Sequence, residues 1–484
     1  MSVAGHVGAP PRRFPVPVVA GAIALAVASG PLALLPPRWV VLMLGVTAVV
    51  TLVAMYPPLA AYILLATTPL IVGIDRGAVL PVVRPSEAVA ALVAAGLAVR
   101  GLFALVRGAP LRVRPAPLDV AIIAFAVAGS VLPLLWMVAR GKEIAQDDVL
   151  YALQPWKFVM VFLIVRVSVR RESEVARCLS ITLVAACVVG LIAILQALHL
   201  GGVTGLLAAH YASDEPVSEL ADGRGSSTLA SSLALGDFMT YSFAIATAWW
   251  IRGGRPARLL VPVSVLCLLG IVASGQYSAF IAIPVAIVAL GAITGHLRRF
   301  VVVGLCVLPV VAAVMWPVIA NRLSGFERLD GMPRSWSGRW VNLTEVFWPQ
   351  LGNFNWVLGV RPAARLPAPE AWRDWIWIES GHTWLLWAGG VPLLVAFLVL
   401  IWCGLRHSVI TTRRRTDAIG VAAAAAFTAL CVVTVLMTLD PHVTVRGSGD
   451  LLFSLLALSL ATPAIGSAAE VLAAEVATGE EGPR

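Results

Sequence analysis

The sequence predicts an all-α polytopic membrane protein with about 12–14 transmembrane helices and a large external loop, and three observations carry that prediction. Charged residues occupy only 13% of 484 positions, too few to clothe a water-soluble surface of this size. Apolar residues make up 59%, and the mean hydropathy is +0.90. These residues gather into stretches long enough to cross a hydrocarbon layer, which takes about 17–25 residues in a helix, and basic residues punctuate the connections between them.

In chain order the stretches fall at 15–31, 38–54, 57–73, 86–106, 117–138, 152–168, 178–199, 228–250, 258–274, 276–292, 299–319, 382–403, 417–437 and 449–466. Arg12 and Arg13 precede the first of them, but the proline-rich PLALLPP from Pro31 stands where a cleavage site would need small residues. A retained helix is therefore expected there. Pro262, Pro284, Pro309 and Pro392 lie inside later stretches, where neighbouring helices can satisfy the freed backbone groups. The six cysteines form no CxxC pair and sit in or beside apolar runs, so they read as small buried side chains.

The arginines test this count independently. With the N-terminus inside, the cytoplasmic connections receive 17 basic residues, including Arg12, Arg107, Arg170, Arg252, Arg298 and Arg413 to Arg415. The outer connections other than the longest hold seven: Arg38, Arg76, Arg84, Arg140, Lys142, Arg224 and Arg446. That is the positive-inside pattern, and it puts both termini in the cytoplasm. Topology and contact with anionic membrane lipids account for the net charge of +9 without nucleic acid.

The whole chain, 1–484, reads as a single integral membrane domain, with two long external connections at 201–227 and 320–381 and a short cytoplasmic tail at 468–484. Within the longer connection, Trp340, Leu343, Val346 and Phe347 recur at helical spacing, which predicts a short amphipathic helix near 337–348 that carries Arg339 and stops at Pro349. Nine of the 16 tryptophans lie between Trp336 and Trp387, as an aromatic belt at headgroup level or as a wall for sugar rings or a lipid-linked substrate. The same connection holds Arg322, Arg328, Arg334, Arg339, Arg361, Arg365 and Arg373. A guanidinium grips phosphate through two parallel charged hydrogen bonds, so an outward arginine cluster suits a lipid phosphate or pyrophosphate.

Other outer segments add polar groups at the same level. GRGSSTLASSLALGDF brings Arg224, ASGQYSA brings Gln276 and Tyr277, and DPHVTVRGSGD brings Asp440, His442, Arg446 and Asp450. QDDVLYALQPWKF places Asp147 and Asp148 at the rim and Lys157 inside a span, where an ionisable group calls for a partner or a ligand. In IWIESGHTWLLWAGG, Glu379 and His382 stand three residues apart at the mouth of a span. No DxD motif or paired histidine–carboxylate set occurs in the outer segments, so neither a metal nor another cofactor is expected.

These segments resemble the O-antigen ligase and polymerase family, over most of the chain from about Pro69 to Leu460 and most sharply between Arg322 and Leu400. PLIVGIDRGAVLPVVRPSEAV is similar to the family's early segment, and RGSSTLASSLALGDF to its arginine, serine and glycine region. SWSGRWVNLTEVF looks like its loop helix, and IESGHTWLLWAGGVPLLVAFL like its histidine at the start of a span followed by glycine. The resemblance implies a GT-C-like fold in a bacterial cytoplasmic membrane with the active site outside. It implies transfer or polymerisation of a glycan from an undecaprenyl-pyrophosphate-linked donor onto a carbohydrate or lipid-glycan acceptor. Catalytic roles fall on His382, with Glu379 beside it, and pyrophosphate binding on Arg224, Arg339 and Arg446, with Gln276 where members place an arginine. Thr383 likewise replaces the asparagine that commonly follows the histidine. Two other classes, a transporter of a cell-envelope precursor and a non-catalytic scaffold, would instead require ionisable groups near the bilayer midplane or no site at all.

Overall fold

A computed structural model describes residues 37–75, 83–108, 115–211, 224–252, 256–327, 334–368 and 374–461. The stretch at 15–31, part of the connection at 201–227 and the tail at 468–484 lie outside the described residues. Each remaining apolar stretch lies largely on helix over its described residues. In order these are α1 (Pro37–Met55), α2 (Pro58–Ile71), α3 (Pro85–Val106), α4 (Pro117–Ala128), α5 (Val131–Ala139), α6 (Gln146–Ser168), α7 (Glu172–Ala197) and the short α8 (Val203–His210). There follow α9 (Ser232–Ile251), α10 (Ala257–Ala273), α11 (Tyr277–Thr294), α12 (Leu297–Val314), α13 (Trp316–Glu327), α14 (Arg334–Val341), α15 (Gly381–Arg414), α16 (Ala418–Leu436) and α17 (Ser448–Ser459). Among the described residues eight helices, counting α4 and α5 as one, are long and apolar enough to cross a membrane, and α1, α2, α10 and α17 are shorter apolar helices. The chain is an all-α polytopic membrane protein.

Helix α9 is the axis of the bundle. Every residue from Ala234 to Trp249 is buried, and the helix packs on α7, α10, α11, α16 and α17. Because protein rather than lipid surrounds it, α9 tolerates Asp237, Thr240 and Ser242 in its interior. In α16 the run Ala422 to Ala426 is fully buried, and such small side chains let the backbones of α9, α11 and α15 come close. Helices α3 and α12 are peripheral, with Leu102, Val106, Leu305 and Val310 exposed as a lipid-facing surface.

Helix α15 is broken inside its length. Gly390 takes φ 64° and ψ −155°, two residues before Pro392. The carbonyl of Trp387, freed by this break, accepts hydrogen bonds from Val360 N (2.7 Å) and Arg361 N (3.3 Å) of the outer connection. A Cβ on Gly390 would lie 2.4 Å from the Val357 carbonyl oxygen, and one on Gly389 would lie 2.4 Å from that of Ala128. Gly390 therefore makes room for the loop backbone to seat in the helix, and Gly389 for the end of α4.

The outer connection departs from expectation in two ways. Its helix starts at Arg334 and continues from α14 through a π-helical turn, Asn342–Phe347, to Gln350, so Pro349 sits in its last turn. The wider turn shifts the helical phase: Leu343 and Phe347 are buried but Trp340 is exposed. A two-stranded antiparallel ribbon of β1 (Arg365–Pro367) and β2 (Trp375–Trp377) was not anticipated; Arg365 pairs with Trp377 in its register.

Candidate functional site

One end of the bundle, where α2, α10 and α16 finish and α3, α6, α9, α11, α15 and α17 begin, encloses a cavity of about 470 Å³. Its wall gathers residues from several outer segments distant in the chain: Arg84, Tyr151, Gln154, Arg224, Gln276, Tyr277, Arg322, Trp336, Arg339, Trp377, Glu379, Asp440 and Arg446. Five guanidiniums against two carboxylates leave an excess of three positive charges among the lining side chains. Four aromatic rings line the same space.

The Arg224 segment is held rigidly. The Gln196 side chain accepts from Ser226 N (2.9 Å) and Ser227 N (2.8 Å) and donates to Ser226 Oγ (3.1 Å). Gly225 N donates to the Ala273 carbonyl at 2.8 Å, and Thr228 Oγ1 to that of Pro69 at 2.7 Å. Ser227 and Ala230 adopt left-handed φ of 51° and 55°, a conformation that costs non-glycine residues about 1–2 kcal/mol each. The hydrogen bonds offset that strain and fix where the arginine leaves the backbone. Gln276 donates to Ser232 Oγ at 2.6 Å, which joins the α10–α11 turn to the start of α9. Arg322 stacks on Tyr277, 4.8 Å from its ring centre.

Arg339 projects from α14 to the opposite wall. Its Nη1 lies 3.0 Å from Asp440 Oδ2 and its Nε 3.5 Å from Glu379 Oε1. Asn342 Nδ2 approaches the other Glu379 oxygen at 3.4 Å. The Glu379 carboxylate therefore faces the cavity and Arg339. His382 is exposed at the start of α15 and is not among the lining residues. Of the six residues singled out from the sequence, Arg224, Gln276, Arg339, Glu379 and Arg446 converge and His382 stands apart.

Arg328 and Arg373 lie outside the described residues; four described arginines of the long outer connection divide into two sets. Arg322 and Arg339 line the cavity, whereas Arg361 and Arg365 are taken up by the adjacent acids at the start of α6. Arg361 Nε donates to Asp148 Oδ1 at 2.8 Å, and Arg365 meets Asp147 through two bonds of 2.8 and 2.9 Å. Asp148 is fully buried, so the DD pair is a clamp for the loop and not a solvated rim. Arg365 also stacks 4.1 Å from the Trp375 ring centre. Lys157 has the partner its burial demands, Asp450 at 2.8 Å.

Three further groups bear on the site, of which the sequence places Arg84, Asp440 and His442 on the outer face without assigning them a role in it. Arg84 is buried and lines the cavity beside Asp75, 3.4 Å away. Asp440 pairs with Arg339. The third is a buried pair, His442 with Asp237, behind the cavity wall. An aspartate within an apolar span was the available signal, since a carboxylate there needs a partner. No family model matches the chain, and no curated protein matches its sequence. Fold and cavity define a class, a multi-pass helical membrane protein with a basic, aromatic-lined chamber at one end of its bundle.

Proposed function

We propose that this protein is a metal-independent glycosyltransferase of the O-antigen ligase or polymerase kind, which moves a glycan from an undecaprenyl-pyrophosphate carrier onto a hydroxyl of a carbohydrate or lipid-linked acceptor. In this reading the chamber opens to the outer face of a bacterial cytoplasmic membrane. One observation carries it: five arginines from distant parts of the chain converge, with aromatic rings, on a single chamber at one end of an apolar bundle. A doubly charged leaving group presented at the membrane surface is what such a chamber suits.

The acceptor oxygen attacks the anomeric carbon, the bond from that carbon to the pyrophosphate oxygen breaks, and its electron pair leaves with the lipid pyrophosphate. Fixed guanidiniums at Arg224, Arg339 and Arg446 stabilise the charge that grows there, and Gln276 adds a neutral donor. The acceptor proton passes to Glu379, the carboxylate that faces the chamber, while His382 contacts the acceptor from the exposed rim. The aromatic rings pack against sugar faces. A transporter reading gains no support from the buried charges, because Lys157 and Asp237 are each matched by a partner.

The test uses purified protein with an undecaprenyl-pyrophosphate-linked glycan and follows release of the lipid pyrophosphate together with glycan transfer. The double variant Arg224→Ala/Arg339→Ala is expected to lose at least 10²–10³-fold in turnover, the order observed when one fixed donor to a developing charge is removed. Normal conversion by a folded double variant would sink the assignment.

A further inference from the structure

We propose that the buried Asp237–His442 pair is a positioning dyad that sets the charge behind the Arg339 wall of the chamber and makes anion binding there respond to pH. The proposal rests on the reading of the chamber as a phosphate site. His442 Nδ1 lies 3.0 and 2.8 Å from the two oxygens of Asp237, and the two side chains are 0% and 2% exposed. Its Nε2 is buried with no hydrogen-bond partner among the described residues. The pair ties the core helix α9 to the turn that follows α16. In that turn His442 N donates to the Asp440 carbonyl at 2.8 Å, and the Asp440 carboxylate receives Arg339 at 3.0 Å. Two links thus separate the dyad from a guanidinium of the chamber.

The charged and titratable groups around His442 define how the dyad titrates. Asp237 and Tyr241 come from α9, Arg339 from α14 and Asp440 from its own turn. On α17, Asp450 is engaged by Lys157, and α16 carries no charged side chain. Burial pushes the imidazole down, but the charge and hydrogen bond of Asp237, with Asp440 behind them, hold it above its ordinary value, which is about 6.5. While His442 is protonated, the dyad is a neutral ion pair. Once the proton leaves, the dyad carries one negative charge beside Arg339. Anion affinity therefore falls as pH rises through the dyad's titration.

The experiment titrates farnesyl pyrophosphate into the purified full-length protein in detergent between pH 6 and 9, reading the fluorescence of Trp336 and Trp377 in the chamber wall. Native protein, His442→Gln, Asp237→Asn and Asp237→Glu are compared, so that ionisation of the probe is common to all and cancels. Native Kd is expected to rise roughly tenfold relative to His442→Gln across that range, the effect of one charge about 10 Å away at an effective dielectric near 20. Asp237→Glu should keep the dependence and Asp237→Asn lose it, a difference that a purely structural role would not produce. Parallel profiles in native protein and His442→Gln overturn the dyad and leave the chamber reading intact. If His442→Gln does not fold, equal profiles for Asp237→Glu and Asp237→Asn overturn it instead. Native protein that fails to bind the probe at any pH overturns the chamber reading and the dyad together.

Discussion

At the scale of single residues, the division between Glu379 and His382 is the sharpest consequence of the structure. Three positions separate them, yet Glu379 turns into the chamber toward Arg339 while His382 is exposed. A proton acceptor must reach the hydroxyl it deprotonates, and of the two only the carboxylate lines the space where a pyrophosphate would lie. Glu379→Gln keeps the shape and a hydrogen-bond acceptor but cannot take a proton. It is expected to lower turnover by about 10²-fold or more, whereas His382→Ala should cost less than about tenfold by the same reasoning. Initial rates on the lipid-linked donor decide this, and the reverse ranking would return the base to His382.

At the scale of elements, the outer connection owes its placement to the first turn of α6. Asp148 and Asp147 hold Arg361 and Arg365, and Arg140 at the end of α5 donates to Asn355 Oδ1 (2.6 Å) and the Val360 carbonyl (2.7 Å). Arg365 begins β1 and pairs in register with Trp377, two residues before Glu379. The clamp thus positions a chamber wall from outside the chamber. Asp148 is 0% exposed, and leaving a buried charge without its partner costs about 3 kcal/mol. Arg361→Gln, which leaves that carboxylate unpaired, should therefore lower the thermal unfolding temperature in detergent and speed proteolysis between 355 and 379. The double variant Asp148→Asn/Arg361→Gln should lose less than the sum of the two single variants, since no orphan charge then remains. Strict additivity would show that the clamp contributes nothing to holding the loop.

At the scale of the whole molecule, the described outer segments that carry Arg84, Arg224, Arg322, Arg339 and Arg446 meet at one end of the bundle, and Arg252, Arg413, Arg414 and Arg415 lie at the other end of the helices that carry or adjoin them. Arg252 caps the end of α15 by donating to the carbonyls of Arg415 (2.6 Å) and Thr412 (2.7 Å). If the positive-inside pattern orients this bundle, the chamber faces outward. In a background without the six native cysteines, a cysteine at the exposed Asn353 should react with a membrane-impermeant thiol reagent in intact cells, and one at the exposed Arg413 should react only after lysis. Opposite labelling would place the chamber in the cytoplasm and remove the glycan-transfer reading.

The helices and their order were legible in the sequence because spanning a bilayer is a local demand: each segment must be apolar and must satisfy its own backbone hydrogen bonds. That demand put α1 to α7, α9 to α12 and α15 to α17 on view, and the spacing of arginines marked Arg224, Arg339 and Arg446 as belonging to one face. Tertiary structure alone decided which arginines meet a ligand and which meet an acid. Arg339 and Arg361 lie in the same connection and look alike in sequence, but one lines the chamber and the other is spent on Asp148, 213 positions earlier. It decided, too, that Asp237 finds His442 across 205 positions. Coulomb attraction and desolvation depend on distances through space and on burial, and neither quantity is carried by the order of residues along the chain.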